Sequence, residues 1–349
     1  MNKPALIYFG SSYFSAIFLE KLLSDSDLKQ IIKIKCVITQ PDKPVGRKQI
    51  LTPTKVKLMA QKYNIPVCYY SLRFQKSNLK IISKNLNQNK KTLDLRCGFD
   101  IYDLGANVDL CLVFAFGEII PKKLLALPKY GFINIHPSLL PKYRGPSPIA
   151  YPLINGDTVT GVTLIQMDEK IDHGPIISQE KLDILPGDRR PDLEIKLTDL
   201  AFLLFKKTIT QLRIADCGLK TRSQNHKEAT YTKLLKKSDG FISFSVLKKV
   251  LNNQPISPKE LPPIIKNLKL EIRNLPKIIF DYFRGLYPWP GLWTTIRVNP
   301  LSIRENLINK RLKITDLQYK DEKLIIRRVQ LEGKKEVDFE TFNRAYKVF

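Results

Sequence analysis

The stretch from Gly131 to Gly145 holds an asparagine and a histidine whose spacing could support chemistry on a ligand. The apolar run at 132–135 predicts a buried strand, and Pro137 ends it because proline cannot extend a central strand. Asn134 and His136 are two residues apart, so both side chains point to one face near the carboxyl end of this strand. Open α/β sheets bind their ligands at that end. Two interpretations stay open here: a ligand-binding pair, or a histidine that is hydrogen-bonded for structural reasons.

A tight acidic loop, Asp168–Gly174, is the second candidate segment. It lies between predicted strands at 161–167 and 175–180, and it contains Asp172. Further segments predict the sheet that positions both regions. Two strands, at 5–9 and 34–39, flank an amphipathic helix, and this βαβ unit implies a parallel sheet. The turn after the first strand lacks the GxGxxG glycines, which argues against a dinucleotide site.

The segment from Gln40 to Pro53 contains three prolines and a glycine, so we expect no regular structure there. It is basic through Lys43, Arg47 and Lys48. A loop of this length inside a compact domain is usually functional or disordered.

The C-terminal part has a different pattern from the N-terminal part. A long amphipathic helix is predicted over 191–212, and a polar stretch after it is typical of a linker. Short alternating segments then recur between glycines, prolines and asparagines, and they predict a small β-barrel. These segments are 240–244, 292–298, 312–319 and 323–330.

The charge distribution indicates a polyanionic partner. The 349-residue chain carries a net charge of +25, and from Ala201 onward there are 30 Lys and Arg against 14 Asp and Glu. Such an excess favours nucleic acid or an anionic membrane surface as a partner. The alternative explanation is an AT-biased genome that enriches its proteins in lysine, so that the extra charges are merely solvated at the surface.

Cysteine, histidine and hydrophobicity patterns exclude several classes of protein. Five cysteines form no CxxC pair, which is typical of a reducing compartment. Three histidines show no zinc-ligand spacing with them, so we expect no metal. We find no apolar signal segment and no run of about 18 apolar residues, so we expect a cytoplasmic protein without a membrane partner.

Several motifs resemble those of the methionyl-tRNA formyltransferases, a family within the enzymes that take a formyl group from 10-formyltetrahydrofolate. The similarity covers most of the chain. The motifs are Asn134-Ile-His136, Ser138–Pro141 with Arg144-Gly145, Met167-Asp168 through Asp172-x-Gly174, Thr39–Arg47, Arg284–Gly291 and Leu331–Lys335.

The resemblance implies a catalytic set of Asn134, His136 and Asp172. Formyl transfer is attack of an amine on an amide-like carbonyl, and its tetrahedral oxyanion needs hydrogen-bond donors and a group that moves protons. By resemblance, Asn134 and His136 bracket the formyl oxygen. Asp172 orients the imidazole, favours its protonated form and can relay the proton of the amine. No covalent intermediate and no metal is required.

The resemblance also implies the binding partners, which are initiator methionyl-tRNA and tetrahydrofolate. For folate it indicates Ser138, Leu139, Leu140 and Pro141. An apolar wall for the ligand could also come from a short segment that contains Phe116, Gly117, Ile119 and Ile120. A segment of this kind is more often part of the core. For the tRNA acceptor stem it indicates the loop with Lys43, Arg47 and Lys48.

The expected fold class is α/β, with a Rossmann-like, mostly parallel formyltransferase domain at 1–210, a linker at 211–235 and an OB-like tRNA-binding β-barrel at 236–349. We expect a monomer. Lys170 and His173 depart from the family pattern beside Asp172, which puts the conformation of that loop in question. The alternatives are a formyltransferase for a nucleotide sugar or small amine, and a non-enzymatic nucleic-acid-binding protein.

Overall fold

The structure is a computed structural model, and it describes residues 3–46, 48–70, 108–215, 220–266, 274–298 and 308–349. The chain divides into two compact units, each assembled from three stretches. The first unit consists of Met1–Pro146, Thr160–Leu182 and Glu194–Tyr231. The second consists of Ser147–Val159, Asp183–Leu193 and Thr232–Phe349. The functional boundaries at 210 and 235 stay a prediction.

The first unit contains a seven-stranded sheet. Its strands are β1 (Ala5–Gly10), β2 (Lys33–Thr39), β5 (Val67–Tyr69), β6 (Leu110–Phe114), β7 (Phe132–His136), β8 (Val159–Gln166) and β9 (Ile176–Asp183). They lie in the order β5-β2-β1-β6-β7-β8-β9. The pairs from β5 to β7 are parallel, and β8 joins β7 antiparallel. This confirms the mostly parallel α/β sheet. All residues of β1 and β6 are buried, as expected for central strands covered on both faces.

Most helices of the first unit begin at a polar N-cap residue, but the short helix that follows Pro121 has no side-chain cap. The helices are α1 (Tyr13–Ser24), α2 (Ser26–Ile31), α3 (Lys55–Lys62) and α4 (Lys122–Leu125). Ser12 accepts a hydrogen bond from the N–H of Ser15 at 3.1 Å, and Thr54 caps α3 in the same way. Each cap satisfies an N–H that the first helical turn leaves without a partner. The long helix α6 (Arg190–Ala215) continues from the second unit into the first.

The proline-rich segment after β2 is a β-hairpin, so our expectation of no regular structure there was wrong. Strands β3 (Lys43–Val45) and β4 (Ile50–Thr52) pair antiparallel, with Val45 opposite Ile50. Gly46 takes a positive φ of 73°, and the N–H of Gln49 closes the turn onto its carbonyl at 3.2 Å. A two-stranded ribbon has only edge strands, so a proline within it need not break a ladder.

The second unit contains a four-stranded antiparallel sheet. Its strands, in sheet order, are β10 (Leu292–Val298), β11 (Ile308–Lys320), β12 (Lys323–Leu331) and β13 (Glu336–Asp338). Its helices are α5 (Ala150–Asn155), α7 (Phe244–Leu251), α8 (Pro263–Lys266), α9 (Leu275–Leu286) and α10 (Phe339–Tyr346). One apolar core joins the sheet with α5, α7, α9 and α10.

Three of the four predicted C-terminal strands are confirmed, and the segment at 240–244 is not a strand. The helix α7 begins there instead, because Ser243 caps it by accepting from the N–H of Val246 at 3.3 Å. Val246, Leu247 and Val250 follow at helical spacing and are buried. In the described residues, no helix combines the length and apolar character that a membrane span requires.

Candidate active site

The side chains of Asn134, His136 and Asp172 meet in the first unit. Asn134 and His136 project from β7, and Asp172 reaches them from the loop between β8 and β9. The Asn134 amide donates to Oδ1 of Asp172 at 3.1 Å, and Nδ1 of His136 lies 3.4 Å from the same oxygen. The backbone N–H of Gly145 donates to the other oxygen, Oδ2, at 2.8 Å. One carboxylate is therefore the centre of the candidate site.

Both ring nitrogens of His136 have partners, and the imidazole is only 4% exposed. Nε2 lies 2.9 Å from the carbonyl oxygen of Tyr143. A carbonyl only accepts, so Nε2 carries the hydrogen and Nδ1 faces Asp172. An imidazolium would donate from both nitrogens, to Tyr143 and to Asp172. The longer contact, to Asp172, is the one that a ligand can replace most readily.

The loop that carries Asp172 has a defined conformation despite its departures from the family pattern. Asp172 takes a positive φ of 50°. Asp168 accepts from the N–H of Lys170 at 3.0 Å and contacts Nδ1 of His173 at 2.6 Å. A Cβ on Gly174 would come within 1.9 Å of the carbonyl oxygen of Gln166, so only glycine fits there. Lys170 and His173 are accommodated within this turn.

A glutamine that sequence analysis assigned to the linker lies beside this loop. Gln224 is 5% exposed, and its amide nitrogen donates to the backbone carbonyls of Asp172 at 3.0 Å and Gly174 at 2.7 Å. Its amide oxygen accepts from Nη2 of Arg144 at 2.6 Å and from Nε at 3.2 Å. Nothing in the local pattern around Gln224 signals burial, so sequence analysis missed it.

Arg144 and its neighbours are held by the same C-terminal segment. The backbone N–H groups of Tyr143 and Arg144 donate to Oγ1 and the carbonyl of Thr230 at 2.8 Å and 2.9 Å. Arg144 also donates from Nη2 to Nδ1 of His226 at 2.8 Å, so this nitrogen of His226 carries no hydrogen. The rings of His226 and His173 stack with centroids 4.1 Å apart. Desolvation and the neighbouring His173 and Arg144 lower the pKa of His226.

The segment predicted for folate after β7 is a rigid turn. Thr163 on β8 donates to the carbonyl of Ser138 at 2.6 Å and accepts from the N–H of Leu140 at 3.1 Å. Gln179 adds a hydrogen bond to the Leu140 carbonyl at 3.0 Å. Ser138 and Leu140 are buried, whereas Leu139 and Pro141 are partly exposed.

The second segment predicted for folate follows β6 and is divided between core and surface. The rings of Phe9 and Tyr70 pack on Phe116 at 5.4 and 5.8 Å, and Ile120 lies in the same core. Gly117 and Ile119 are exposed. Because β6 and β7 are parallel neighbours, the segments that follow them lie at one edge of the sheet.

Of the residues predicted for tRNA contact, Lys43 and Lys48 lie on the β3–β4 hairpin. Lys43 and Lys48 are exposed, and Arg47 lies outside the described residues. Val45, Ile50 and Leu51 are also exposed, each by more than half. Three exposed apolar side chains on a basic hairpin are typical of a contact surface.

The base of the hairpin is fixed to the unit by polar contacts. Asp42 pairs with Lys57 on α3 at 2.7 Å. The Gln40 side chain accepts from Lys43 at 2.7 Å and donates to the carbonyl of Phe116 at 3.1 Å. Among the residues that the structure describes, no cluster of three or more His, Cys, Asp or Glu could hold a metal ion.

Fold and site together define an α/β protein with a polar site centred on a carboxylate, and comparison with known proteins specifies its family. A family profile described as formyl transferase matches residues 5–209. Over 98% of this chain and 97% of the relative, the sequence is 31% identical to the methionyl-tRNA formyltransferase of Caldicellulosiruptor saccharolyticus. It is 33% identical to that of Staphylococcus aureus over 95% of this chain and 92% of the relative. The chain belongs to the methionyl-tRNA formyltransferase family.

A solved structure supports the fold alone. The 4-N formyltransferase of Francisella tularensis superimposes with a TM-score of 0.52 at 18% identity, over 88% of this chain and 96% of that one.

Proposed function

We propose that this chain transfers the formyl group of 10-formyltetrahydrofolate to the amino group of initiator methionyl-tRNA. The observation that carries the proposal is the convergence of Asn134, His136 and the Gly145 N–H on the Asp172 carboxylate. This convergence lies in a chain related over nearly its full length to methionyl-tRNA formyltransferases.

The proposed reaction needs no further reactant. The amino nitrogen of the methionyl group attacks the formyl carbon, and a new C–N bond forms as the carbonyl π electrons move to oxygen. The tetrahedral oxyanion then collapses, and the bond between the formyl carbon and N10 of folate breaks. The attacking amine loses one proton and N10 gains one, so the products are N-formylmethionyl-tRNA and tetrahydrofolate.

Asp172 is the proposed proton carrier of this reaction. Its carboxylate is nearly buried but has two oxygens with separate partners, and an ionised carboxylate can accept the amine proton and return it to N10. Asn134 and His136 are the proposed oxyanion donors. Both carry N–H groups, and both contact the same oxygen, Oδ1, of Asp172. As an imidazolium, His136 would donate from Nδ1 as well as from Nε2, and the Nδ1 contact to Asp172 is the longer of the two.

The residues present fit a folate as the formyl donor. A flat pterin ring needs an apolar surface beside rigid backbone polar groups. Gly117 and Ile119 offer an exposed backbone and an exposed apolar side chain, and the turn at 138–141 is held by Thr163 and Gln179. In this proposal Phe116 and Ile120 support the site from the core rather than touching the ligand.

The proposed tRNA contacts lie on each unit separately. The hairpin of the first unit would carry Lys43, Arg47 and Lys48 to the acceptor stem. In the second unit, Arg297 projects from the outer face of β10, and Arg311 and Lys313 of β11 stand opposite Thr295 and Trp293. Basic side chains beside an aromatic ring suit phosphates and stacked bases. We propose that this sheet belongs to an OB-like barrel, a fold that binds oligonucleotides on such a face.

A direct assay tests the proposal. The purified full chain is incubated with 10-formyltetrahydrofolate and methionyl-tRNA, and formylmethionine is measured after hydrolysis of the tRNA ester. A second reaction contains an amino-sugar nucleotide as the acceptor. Formylation of initiator tRNA alone supports the proposal. Formylation of the sugar with no product on tRNA would establish the small-amine alternative, and no product in either reaction would leave only a nucleic-acid-binding role.

A further inference from the structure

We infer that Gln224 is a positioning residue for the transfer reaction, because its side-chain amide fixes the backbone that presents the Asp172 carboxylate. The inference rests on the proposed function, since it assigns Gln224 a part in the same reaction. Gln224 lies 52 residues from Asp172 in the sequence, in the polar segment predicted as a linker.

The orientation of the Gln224 amide is determined by its partners. Its oxygen faces two nitrogens of the Arg144 guanidinium, which can only donate. Its nitrogen faces two backbone carbonyls, of Asp172 and Gly174, which can only accept. All four contacts are satisfied in one orientation and none in the flipped one. The amide is therefore a specific link between Arg144 and the Asp172 loop.

Asp172 needs such a link because of its backbone conformation. A φ of 50° lies in the left-handed region, which a residue with a Cβ seldom adopts and which the surroundings must stabilise. The Gln224 donor binds the carbonyl of Asp172 itself and that of the residue two positions later. Through this conformation the carboxylate reaches Asn134 and the Gly145 N–H.

Arg144 joins Gln224 to the backbone segment that binds the second oxygen of the Asp172 carboxylate. Its guanidinium holds the oxygen of Gln224, and the next residue in the chain, Gly145, donates its N–H to Oδ2 of Asp172. Gln224 thus ties together the two backbone segments between which the carboxylate lies. A misplacement of about 1 Å at a reacting group can cost about 100-fold in rate.

Gln224→Glu separates this role from a merely structural one. The glutamate keeps an oxygen for Arg144 and nearly the same shape, but it replaces the donor to the two carbonyls with an acceptor. Gln224→Asn is the second variant, since it keeps the amide without adding charge and cannot span both sets of partners. Asn225→Asp is the matched control: it makes the same amide-to-acid change one residue away, where the side chain bonds to Glu228 and to the N–H of Lys227 rather than to the Asp172 loop.

The experiment measures kcat and both KM values for the full chain, with thermal unfolding of each variant. We expect Gln224→Glu and Gln224→Asn to lower kcat by about 10- to 100-fold with both KM values within about threefold of wild type. Asn225→Asp should keep the wild-type kcat. If Gln224→Glu does not fold, the kcat of Gln224→Asn alone tests the inference.

Three results would overturn the inference. They are a folded Gln224→Glu or Gln224→Asn variant with wild-type kcat, a rise in KM with kcat unchanged, and an equal loss in Asn225→Asp. A wild-type chain that forms no formylmethionine would instead refute the proposed function, and this result is distinguishable because it does not depend on any variant.

Discussion

The backbone N–H of Gly145 donates to Oδ2 of Asp172 at 2.8 Å, so the glycine that follows Arg144 fixes one oxygen of the carboxylate at the centre of the site. The other oxygen faces Asn134 and His136. This division leaves each oxygen with its own partners, and it makes the charge of the carboxylate the feature to test first.

Asp172→Asn should lower kcat by about 10²- to 10⁴-fold, the usual contribution of a general acid or base. The amide keeps the size of the side chain and one acceptor oxygen, but it cannot take the proton of the amine. Steady-state formylation of methionyl-tRNA measures the effect. Asp199→Asn on α6 is the control, because that carboxylate lies more than half exposed in a surface ion pair with Lys21. Near-normal turnover of Asp172→Asn across pH would assign the proton transfer to another group.

The stability of the chain should fall at mildly acidic pH partly through His226. Desolvation, His173 and Arg144 lower the pKa of His226 below its ordinary value of 6.5. The unfolded chain therefore binds this proton at a higher pH than the folded chain, so stability is lost as the pH falls through 6.5 toward the folded pKa.

His226→Asn removes the titrating ring and keeps an acceptor within reach of Arg144. We expect the melting temperature of this variant to drop less than that of wild type between about pH 7.5 and about pH 5.5. Differential scanning calorimetry at the two pH values measures the difference. Equal drops in both proteins would show that the His226 proton does not contribute.

Gly285→Ala should destabilise the second unit. A Cβ at Gly285 on α9 would lie 2.5 Å from Cγ1 of Ile154 and 2.7 Å from the carbonyl oxygen of Ala150. Overpacking of this kind costs about 1–3 kcal/mol, which exceeds the gain of about 1 kcal/mol from helix propensity. Urea unfolding measures the change. Gly187→Ala is the control, since a Cβ there meets nothing within 4 Å, and a comparable loss in both variants would point away from close packing.

Arg47→Ala should reduce the salt dependence of tRNA binding. If Arg47 binds a phosphate of the tRNA, its loss lowers the slope of log affinity against log salt by about 0.7–0.9. It should also lower discrimination between tRNAs, while folate binding stays at the wild-type value. Titrations at several salt concentrations measure the slope. Lys29→Ala, a charge loss at an exposed residue of α2, is the control, and an unchanged slope in Arg47→Ala would remove the hairpin from the interface.

Local pattern alone predicted the elements that carry the site. The apolar run at 132–135 predicts a buried strand, and the two-residue period of any strand puts Asn134 and His136 on one face. The βαβ pattern at the N-terminus likewise determines that the sheet is parallel, because a crossover helix permits little else. Family resemblance added Asp172, and its meeting with Asn134 is found in the structure.

The hairpin and the start of α7 show where local rules gave the wrong result. Prolines argue against strands in a central sheet position, but β3 and β4 form a ribbon with no central position. At 240–244 the alternation of apolar residues is too short to outweigh the cap at Ser243 and the apolar helical face that follows.

Only the tertiary structure decided the surroundings of Asp172. Gln224 and Thr230 lie in a polar segment without periodicity, and each makes its key hydrogen bonds to residues at least 50 positions away. The division into units has the same cause: residues 147–159 and 183–193 pack with the C-terminal part of the chain. Periodicity encodes which face of an element is apolar, and it carries no information about which distant loop supplies the partner of a buried polar group. That partner is determined only in the folded chain, because buried carbonyl and amide groups need hydrogen-bond partners there.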